Sequence, residues 1–198
     1  MSIKVGNSLT REKISVNDNG KIVRPGGMVS LRIFEERDIA NKVQWINDPE
    51  NNQHLHYDIP LCAENTLKWF RAKDNTRRLD YVIEYDDVPV GLIGLLTIDH
   101  FHHKAEFYIS MGETAYKNRG IATEASRMLL DYGFGYLNLH KIYLNTDGEN
   151  YPAHRLFEKV GFVREGFFVD DMIHRGRYID RVRYAVVSTA NNPKRESE

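Results

Sequence analysis

The sequence predicts a mixed α/β fold, in which a twisted sheet holds antiparallel and parallel strands beside about four helices. Residues 81–85, 90–98 and 105–111 are apolar stretches joined by turns too short for a parallel crossover, which predicts an antiparallel meander. Later, two amphipathic helical patterns enclose a buried strand at residues 141–145. This order excludes a regular, doubly wound parallel sheet.

The chain enters this fold through a strand and two helices. Residues 28–34 alternate apolar and polar side chains, as a half-buried strand does. Asp38 is placed to cap a helix that carries Ile39 and Val43, and residues 63–73 have the spacing of a second amphipathic helix.

The second half predicts a helix after Gly120, a strand, a helix that Gly161 ends, and an antiparallel pair. These elements occupy residues 121–137, 141–145, 150–160, 162–169 and 177–187.

The length of 198 residues fits one domain. Residues 1–27 are polar, lack periodicity and end in turn residues, so they are expected to form a flexible arm. The domain is expected over residues 28–187, and a polar tail over residues 188–198.

Composition and charge narrow the choice of partners and compartment. The formal net charge of -1, from 27 basic and 28 acidic side chains, gives no overall field to hold nucleic acid or an anionic membrane. Cys62 is the single cysteine and cannot form an intrachain disulfide. The apolar stretches are too short to span a bilayer, and no secretion signal is recognisable, so the cytoplasm is expected.

Histidines cluster in two places, His54 with His56, and His100 with His102 and His103. Alternate residues of a strand share a face, so either cluster could suggest a metal site. Without more cysteines or a matching acidic cluster, exposed or substrate-facing histidines are favoured, and no metal is predicted.

The segment from Lys117 to Ala122 is predicted to bind a phosphate or pyrophosphate. The first turn of a helix leaves its N–H groups free at the positive end of the helix dipole, which favours an anion. Gly120 permits close approach of the backbone, and Lys117 and Arg119 add positive charge. The further glycines of a dinucleotide fingerprint and the Gly-Lys-Ser/Thr ending of a P-loop are missing.

This loop resembles the acetyl-CoA loop of the GNAT superfamily of N-acetyltransferases, Gln/Arg-x-x-Gly-x-Gly/Ala, with Lys117 in first place. Residues 150–162 resemble the asparagine-containing helix and Gly-Phe turn of that family, and residues 105–111 resemble the strand before the loop. The resemblance extends from about residue 28 to 187. It implies a central sheet of about seven strands with a splayed central pair, flanked by about four helices.

The resemblance also implies acetyl-CoA as co-substrate and a set of residues that bind it. Backbone groups of Ile109, Ser110 and Met111 would hold the thioester and pantetheine. Asn150, at a helix start, would cap that helix and contact pantetheine or water. The loop ligands would be Lys117, Asn118, Arg119, Gly120, Ile121, Ala122 and Thr123.

Acetyl transfer to an amine requires a group that takes the proton of the amine. By resemblance Glu106 is the expected base, with Asn150 as a second catalytic residue. Asp99, His102 and His103, on the preceding turn, are alternatives to Glu106.

Position 157 departs from the family pattern, because many relatives have a tyrosine there that protonates the leaving thiolate. Phe157 has no proton to give. Either Tyr116, Tyr143 or Tyr151 acts instead, or the thiolate leaves unassisted, which a thiol pKa of ~8.5 permits.

The acceptor is expected to be a small-molecule primary amine, since the chain looks closest to spermidine, ribosomal-protein-terminus and amino-sugar acetyltransferases. Acidic residues near the first helices would suit a polyamine, whereas Arg71, Arg77 and Arg78 would suit a nucleotide-linked amino sugar. A homodimer is expected because relatives often pair through sheet edges. Alternatives are a protein N-terminal acetyltransferase, a non-catalytic acyl-CoA-binding module and a nucleotide-phosphate binder.

Overall fold

The computed structural model describes residues 13–188, which form one nine-stranded sheet with four α-helices. The mixed α/β fold is therefore confirmed, with more strands than the expected seven. The strands are β1 (Ser15–Val16), β2 (Ile22–Val23), β3 (Val29–Ile33), β4 (Leu79–Tyr85), β5 (Val88–Asp99), β6 (Lys104–Met111), β7 (Lys141–Asp147), β8 (Val163–His174) and β9 (Arg177–Val187). The helices are α1 (Ile39–Asn47), α2 (Ala63–Ala72), α3 (Ile121–Gly135) and α4 (Tyr151–Val160).

The two strands that the sequence did not predict, β1 and β2, lie in the segment expected to be a flexible arm. They continue the sheet beyond β3, and Ile22 is fully buried. Arg24 forms salt bridges of 2.9 Å with Glu124 and Asp131 of α3. Each strand has only two residues, too few for a periodic pattern to show. Residues 1–12 of the expected arm, and residues 189–198 of the expected tail, lie outside the described residues.

Asp38 does not cap α1 as the sequence predicted. A short 3-10 helix, Glu36–Asp38, precedes α1, so the carboxylate of Asp38 points back instead of forward. It accepts hydrogen bonds from the two terminal guanidinium nitrogens of Arg32, at 2.9 and 2.8 Å, and from the Glu35 backbone N–H at 2.8 Å. A charge-assisted pair with Arg32 replaces the cap.

The centre of the sheet is splayed, as the family resemblance implies. β6 and β7 are parallel and pair only at residues 104–106 with 141–143. Beyond this point β6 stays paired with β5 as far as Met111, while β7 stays paired with β9 as far as Asp147. A wedge-shaped gap therefore opens between two well-supported strands.

The helices cover opposite faces of this sheet. Phe107 of β6 and Leu144 of β7 face the main core, which contains Met128 of α3 and Phe157 of α4. On the opposite face, α1 and α2 pack over a smaller cluster that includes Tyr108. Because side chains alternate along a strand, Glu106, Tyr108 and Ser110 share the face of α1 and α2.

Candidate active site

The loop before α3 has the structure of an anion site. Gly120 adopts a left-handed conformation (φ +80°), and no side chain caps the helix that begins after it. A Cβ atom at Gly120 would have no atom within 4 Å, so the space in front of the helix is open. The uncapped N–H groups of the first turn can therefore meet a phosphate group.

The two cations of the loop have protein partners. The Lys117 ammonium donates a hydrogen bond of 2.7 Å to the side-chain oxygen of Asn51. Arg119 is exposed, and its guanidinium lies 5.1 Å from the ring centre of Tyr116. Arg119 is free to follow a ligand, whereas Lys117 ties the loop to the segment between α1 and α2.

Ile109, Ser110 and Met111 line the β6 edge of the gap. They pair with Ile93, Leu92 and Gly91 of β5 on one side, while β7 has already separated on the other. Backbone groups that point towards β7 here have no strand partner. They are therefore available to hydrogen-bond an extended ligand that lies between the two strands.

Glu106 lies at the closed end of the gap, on the face of α1 and α2. It is half-buried and accepts a hydrogen bond of 3.2 Å from the Asn145 amide on β7. The Asn145 side-chain oxygen in turn accepts from Arg183 at 3.2 Å. Tyr143 is the residue of β7 in register with Glu106.

The alternative bases lie at the β5–β6 turn and bond within their surroundings. The Asp99 carboxylate accepts from the His102 backbone N–H at 2.8 Å and lies 2.9 Å from the His102 ring nitrogen. These contacts, the backbone one first, lower the pKa of Asp99 to about 2. His103 bonds to the Asn138 carbonyl at 3.1 Å. None of these contacts reaches Glu106.

Asn150 caps α4, since its side-chain oxygen accepts from the Ala153 N–H at 3.3 Å. About two turns further on, Phe157 is buried against Phe107, Phe162 and Tyr184, at ring distances of 5.8 to 6.2 Å. This position is therefore part of an aromatic core.

The three tyrosines considered as proton donors lie apart. Tyr116 packs on Tyr85, at 5.8 Å between ring centres, and Tyr151 is largely exposed. Tyr143 lies beside Glu106 in register, and its hydroxyl is 3.4 Å from that of Thr97. Tyr143 is thus the one of the three that the structure places beside Glu106, the expected base.

A cation-rich cluster, which the sequence reasoning missed, lies between the sheet and helices α1 and α2. The Lys42 ammonium is 3.5 Å from the ring centre of Trp69, and the residue is only 5% exposed. Burial is the main reason that the pKa of Lys42 is lowered to about 8. A helical lysine beside apolar residues carries no sequence signal that distinguishes it from a surface lysine.

The cations of this cluster surround one buried carboxylate, that of Asp80. It accepts hydrogen bonds from Arg78 at 2.8 and 2.9 Å, from Lys73 at 3.2 Å and from the Tyr108 hydroxyl at 2.6 Å. Burial alone would raise the pKa of Asp80, but the bonds from Arg78 and Tyr108 outweigh it and lower that pKa. Gly94 makes the Tyr108 bond possible, because a Cβ there would lie 2.5 Å from the tyrosine ring.

A second missed group is Asp147, at the free end of β7. Its carboxylate lies 3.0 Å from Nδ1 of His54 and 2.9 Å from Nε2 of His56. Burial is the largest single influence and raises the pKa of Asp147, but the contacts with His56 and His54 together outweigh it and leave that pKa below its usual value.

Residues 13–188 contain neither a candidate metal site nor a candidate membrane-spanning helix. No group of three or more histidine, cysteine, aspartate or glutamate side chains there has the arrangement of a metal site. None of the described helices has the length and apolar character needed to cross a bilayer.

Fold and site together define a mixed-sheet protein with a cleft for an extended, phosphate-bearing ligand between two central strands. A family model described as an acetyltransferase (GNAT) domain matches residues 29–163. The chain belongs to this family. It is an N-acetyltransferase that uses acetyl-CoA.

Characterised relatives share most of the chain. It is 38% identical to the spermidine N(1)-acetyltransferase of Escherichia coli K12, over 80% of this chain and 85% of the relative. The Vibrio cholerae spermidine N(1)-acetyltransferase is 32% identical, over 81% and 94%. A crystal structure of the Vibrio cholerae spermidine N-acetyltransferase in complex with CoA and spermine has a TM-score of 0.75, at 28% identity, and covers 81% of this chain and 95% of that one.

Proposed function

We propose that the protein transfers the acetyl group of acetyl-CoA directly to a primary amine of a small molecule, with a polyamine as first candidate and the cytoplasm as the expected compartment. The names of the relatives support a polyamine, as does the spermine-bound structure. The observation that carries the proposal is the gap between β6 and β7, which ends at an uncapped helix terminus and has Glu106 on one face.

Acetyl-CoA would lie along this gap. Its pyrophosphate would meet the backbone of residues 117–123, and its pantetheine would follow Ile109, Ser110 and Met111. Asn150, at the start of α4, would contact pantetheine or a water while it caps the helix. Arg119, which is exposed, would add charge to the pyrophosphate site.

The amine would attack from the face of α1 and α2. An alkyl ammonium with a pKa of ~10.4 is neutral in less than about one molecule in a thousand at pH 7, so a base must take its proton. Glu106 would do so, directly or through water. No acid is required of Phe157, since a thiolate is a tolerable leaving group near neutrality.

The charges of the acceptor face favour a second candidate, an amine that also carries an anionic group, such as a nucleotide-linked amino sugar. Lys42, Lys73 and Arg78 supply three cations around the single carboxylate of Asp80. By contrast, several carboxylates that might have suited a polyamine are already paired with cations. Glu36 pairs with Arg71, Asp38 with Arg32 and Glu64 with Lys68.

Release of free CoA thiol measured with a panel of amines tests the proposal. The panel should contain spermidine, spermine, a nucleotide-linked amino sugar and a peptide with a free amino terminus. We expect amine-dependent release with a small molecule and not with the peptide. CoA binding without release for any amine would instead support the non-catalytic acyl-CoA-binding module.

We further propose that two copies pair through β8, an edge strand that is exposed along most of its twelve residues. Val169 and Ile173 are 71% and 59% exposed, and Tyr178 of the neighbouring strand is 67% exposed. A long apolar edge is a template for pairing with another chain. A structure of the Vibrio cholerae relative is described as dodecameric. Light scattering of wild type and Val169→Lys tests the pairing, which the charge should weaken.

A further inference from the structure

The segment between α1 and α2, residues 48–62 and here called the strap, crosses the open end of the gap. At the β6 side, the Asn51 side chain donates to the Gly112 carbonyl at 2.8 Å. At the β7 side, His54 and His56 both contact Asp147. Arg175, in the β8–β9 turn, donates to the Asn52 side-chain oxygen at 2.6 Å. The strap therefore joins the ends of the two strands that have separated.

The register of β6 and β7 sets the level of each group along the gap. Residues 104, 105 and 106 pair with 141, 142 and 143, so continuing the same offset places Asp147 opposite Ser110, on the same face as Glu106. Strands rise by about 3.3 Å per residue, so the level of Ser110 is roughly 13 Å from that of Glu106. Direct proton transfer needs donor and acceptor within about 3 Å.

A thioester held by the backbone of Ile109, Ser110 and Met111 would thus lie far from Glu106 and close to the histidines of the strap. We propose that His54 is a catalytic residue that accepts the proton of the attacking amine, and that Asp147 positions it. This inference rests on the proposed acetyl transfer.

The contact between His54 and Asp147 suits a base. With Nδ1–H held by a buried carboxylate, Nε2 of the ring is left as the proton acceptor, and the carboxylate stabilises the imidazolium that forms. The His54 side chain is one-third exposed, whereas Asp147 is nearly inaccessible. His56 contacts Asp147 through the other ring nitrogen, Nε2, and its ring centre lies 4.9 Å from that of His174.

The proton balance of the reaction then closes without Phe157. The amine nitrogen bonds to the thioester carbon, its proton passes to Nε2 of His54, and the carbon–sulfur bond breaks. The imidazolium returns that proton to the departing thiolate, directly or through water, and becomes neutral again. Before this step, Glu106 would take, through water, the proton whose loss converts the ammonium into the attacking amine.

Titratable and charged groups around His54 lie on three parts of the chain. They are Asp147 on β7, His56 on the strap, and His174 and Arg175 at the end of β8 and in the turn that follows it. Burial first, and then the charges of His56 and Arg175, lower the pKa of His174, so His174 is a weaker base than an ordinary histidine.

Two amide substitutions distinguish a role in proton transfer from a role in anchoring the strap to Asp147. His54→Asn places a side-chain N–H near the position of Nδ1 and can keep the bond to Asp147, but it cannot accept a proton. His56→Gln does the same for Nε2 and serves as the matched control. The measurement is kcat/KM for the amine against pH, with the KM for acetyl-CoA and the melting temperature of each variant.

We expect His54→Asn to lower kcat by about 10- to 100-fold at neutral pH and to abolish the acid limb of the pH profile, where protonation of a general base removes activity. The KM for acetyl-CoA should not change, and His56→Gln should stay within about threefold of wild type with that pH limb intact. Equal effects of the two variants, or a full pH limb in His54→Asn, would overturn the assignment. A wild type that releases no thiol with any amine would instead refute the proposed function.

Discussion

The region that would bind acetyl-CoA, here called the donor half, and the region that would bind the amine, here called the acceptor half, offer their ligands different kinds of groups. The donor half, from β6 through α4, offers backbone groups: a splayed strand edge and a helix terminus that no side chain caps. The acceptor half, made of α1, the strap, α2 and the sheet side chains that they contact, offers side chains: a buried cation cluster around Asp80 of β4 and two histidines on Asp147 of β7. The cofactor site therefore depends on conformation, and the acceptor site depends on residue identity.

This difference explains why enzymes of one family can share acetyl-CoA as the donor while they acetylate different amines. A backbone site changes only when the chain changes conformation, as at Gly120, whereas single side-chain replacements alter the charge of the acceptor face. The following substitutions test each half, from the largest expected effect to the smallest.

Gly120→Trp should break the donor half. The indole would fill the space in front of α3, which is open in the structure, and a left-handed conformation costs a non-glycine residue roughly 1–2 kcal/mol. We expect the affinity for CoA, measured by calorimetry, to fall by at least about 100-fold, the scale of several lost phosphate contacts. Gly176→Trp is the control, since Gly176 has a similar φ of +77° and equally open surroundings. Equal affinity in the two variants would refute the loop as the pyrophosphate site.

Glu106→Gln tests the junction of the two halves. Removing a base lowers the rate by roughly 10- to 100-fold where the amine is protonated, and the deficit should shrink as pH approaches the amine pKa of ~10.4. The amide can still bond to Asn145, so the local structure should persist. Rates of wild type and variant between pH 7 and 10 provide the measurement. A constant ratio across this range would exclude a role in proton removal.

Lys42→Met tests the charge of the acceptor half through stability. The pKa of Lys42 is about 8 in the folded protein, below the ordinary 10.5, so between these values the unfolded chain binds more protons. The free energy of unfolding of the wild type should therefore rise, relative to the variant, as pH increases from about 8 to 10.5, by roughly 2 kcal/mol.

Urea unfolding at a series of pH values measures this difference. Lys68→Met is the control, because Lys68 is exposed and its ion-pair partner, Glu64, lies on the same helix. If the free energies of unfolding of the wild type and of Lys42→Met differ by a constant amount from pH 8 to 10.5, the ammonium is not buried as described.

Phe157→Tyr should have the smallest effect. A tyrosine here would restore the proton donor of many relatives, but the ring is buried among Phe107, Phe162 and Tyr184. We expect kcat to rise by about two- to fivefold at most, because thiolate departure near neutrality needs little help, and the melting temperature to fall slightly. A rise of 100-fold would show that Phe157 limits turnover in the wild type.

The sequence predicted the donor half well because backbone sites leave a local record. Gly120 directly precedes α3, Asn150 caps α4 and Gly161 ends α4, each as the sequence predicted. The family resemblance supplied the splayed pair. The site residues themselves stay predictions, since no ligand contact tests them.

The acceptor half escaped prediction because its contacts join residues far apart in the chain. His54 meets Asp147 across 93 positions, and Tyr108 meets Asp80 across 28. No periodicity or spacing links such pairs, and the histidines of the strap were interpreted as exposed or substrate-facing, with no partner assigned to them. β1 and β2 were not predicted for another reason: each has two residues, and they are held by pairing of β1 with β2 and of β2 with β3, not by a pattern of their own.

Mass spectrometry of protein and amine after incubation with acetyl-CoA tests the central claim most directly. The account predicts an unmodified protein with acetyl-CoA alone, and a small-molecule amine that gains one acetyl group when it is added, with one CoA thiol released per product. An acetylated protein intermediate would contradict direct attack. Failure of every amine in the panel to gain an acetyl group, despite saturating acetyl-CoA, would contradict the assignment of acetyl transfer itself.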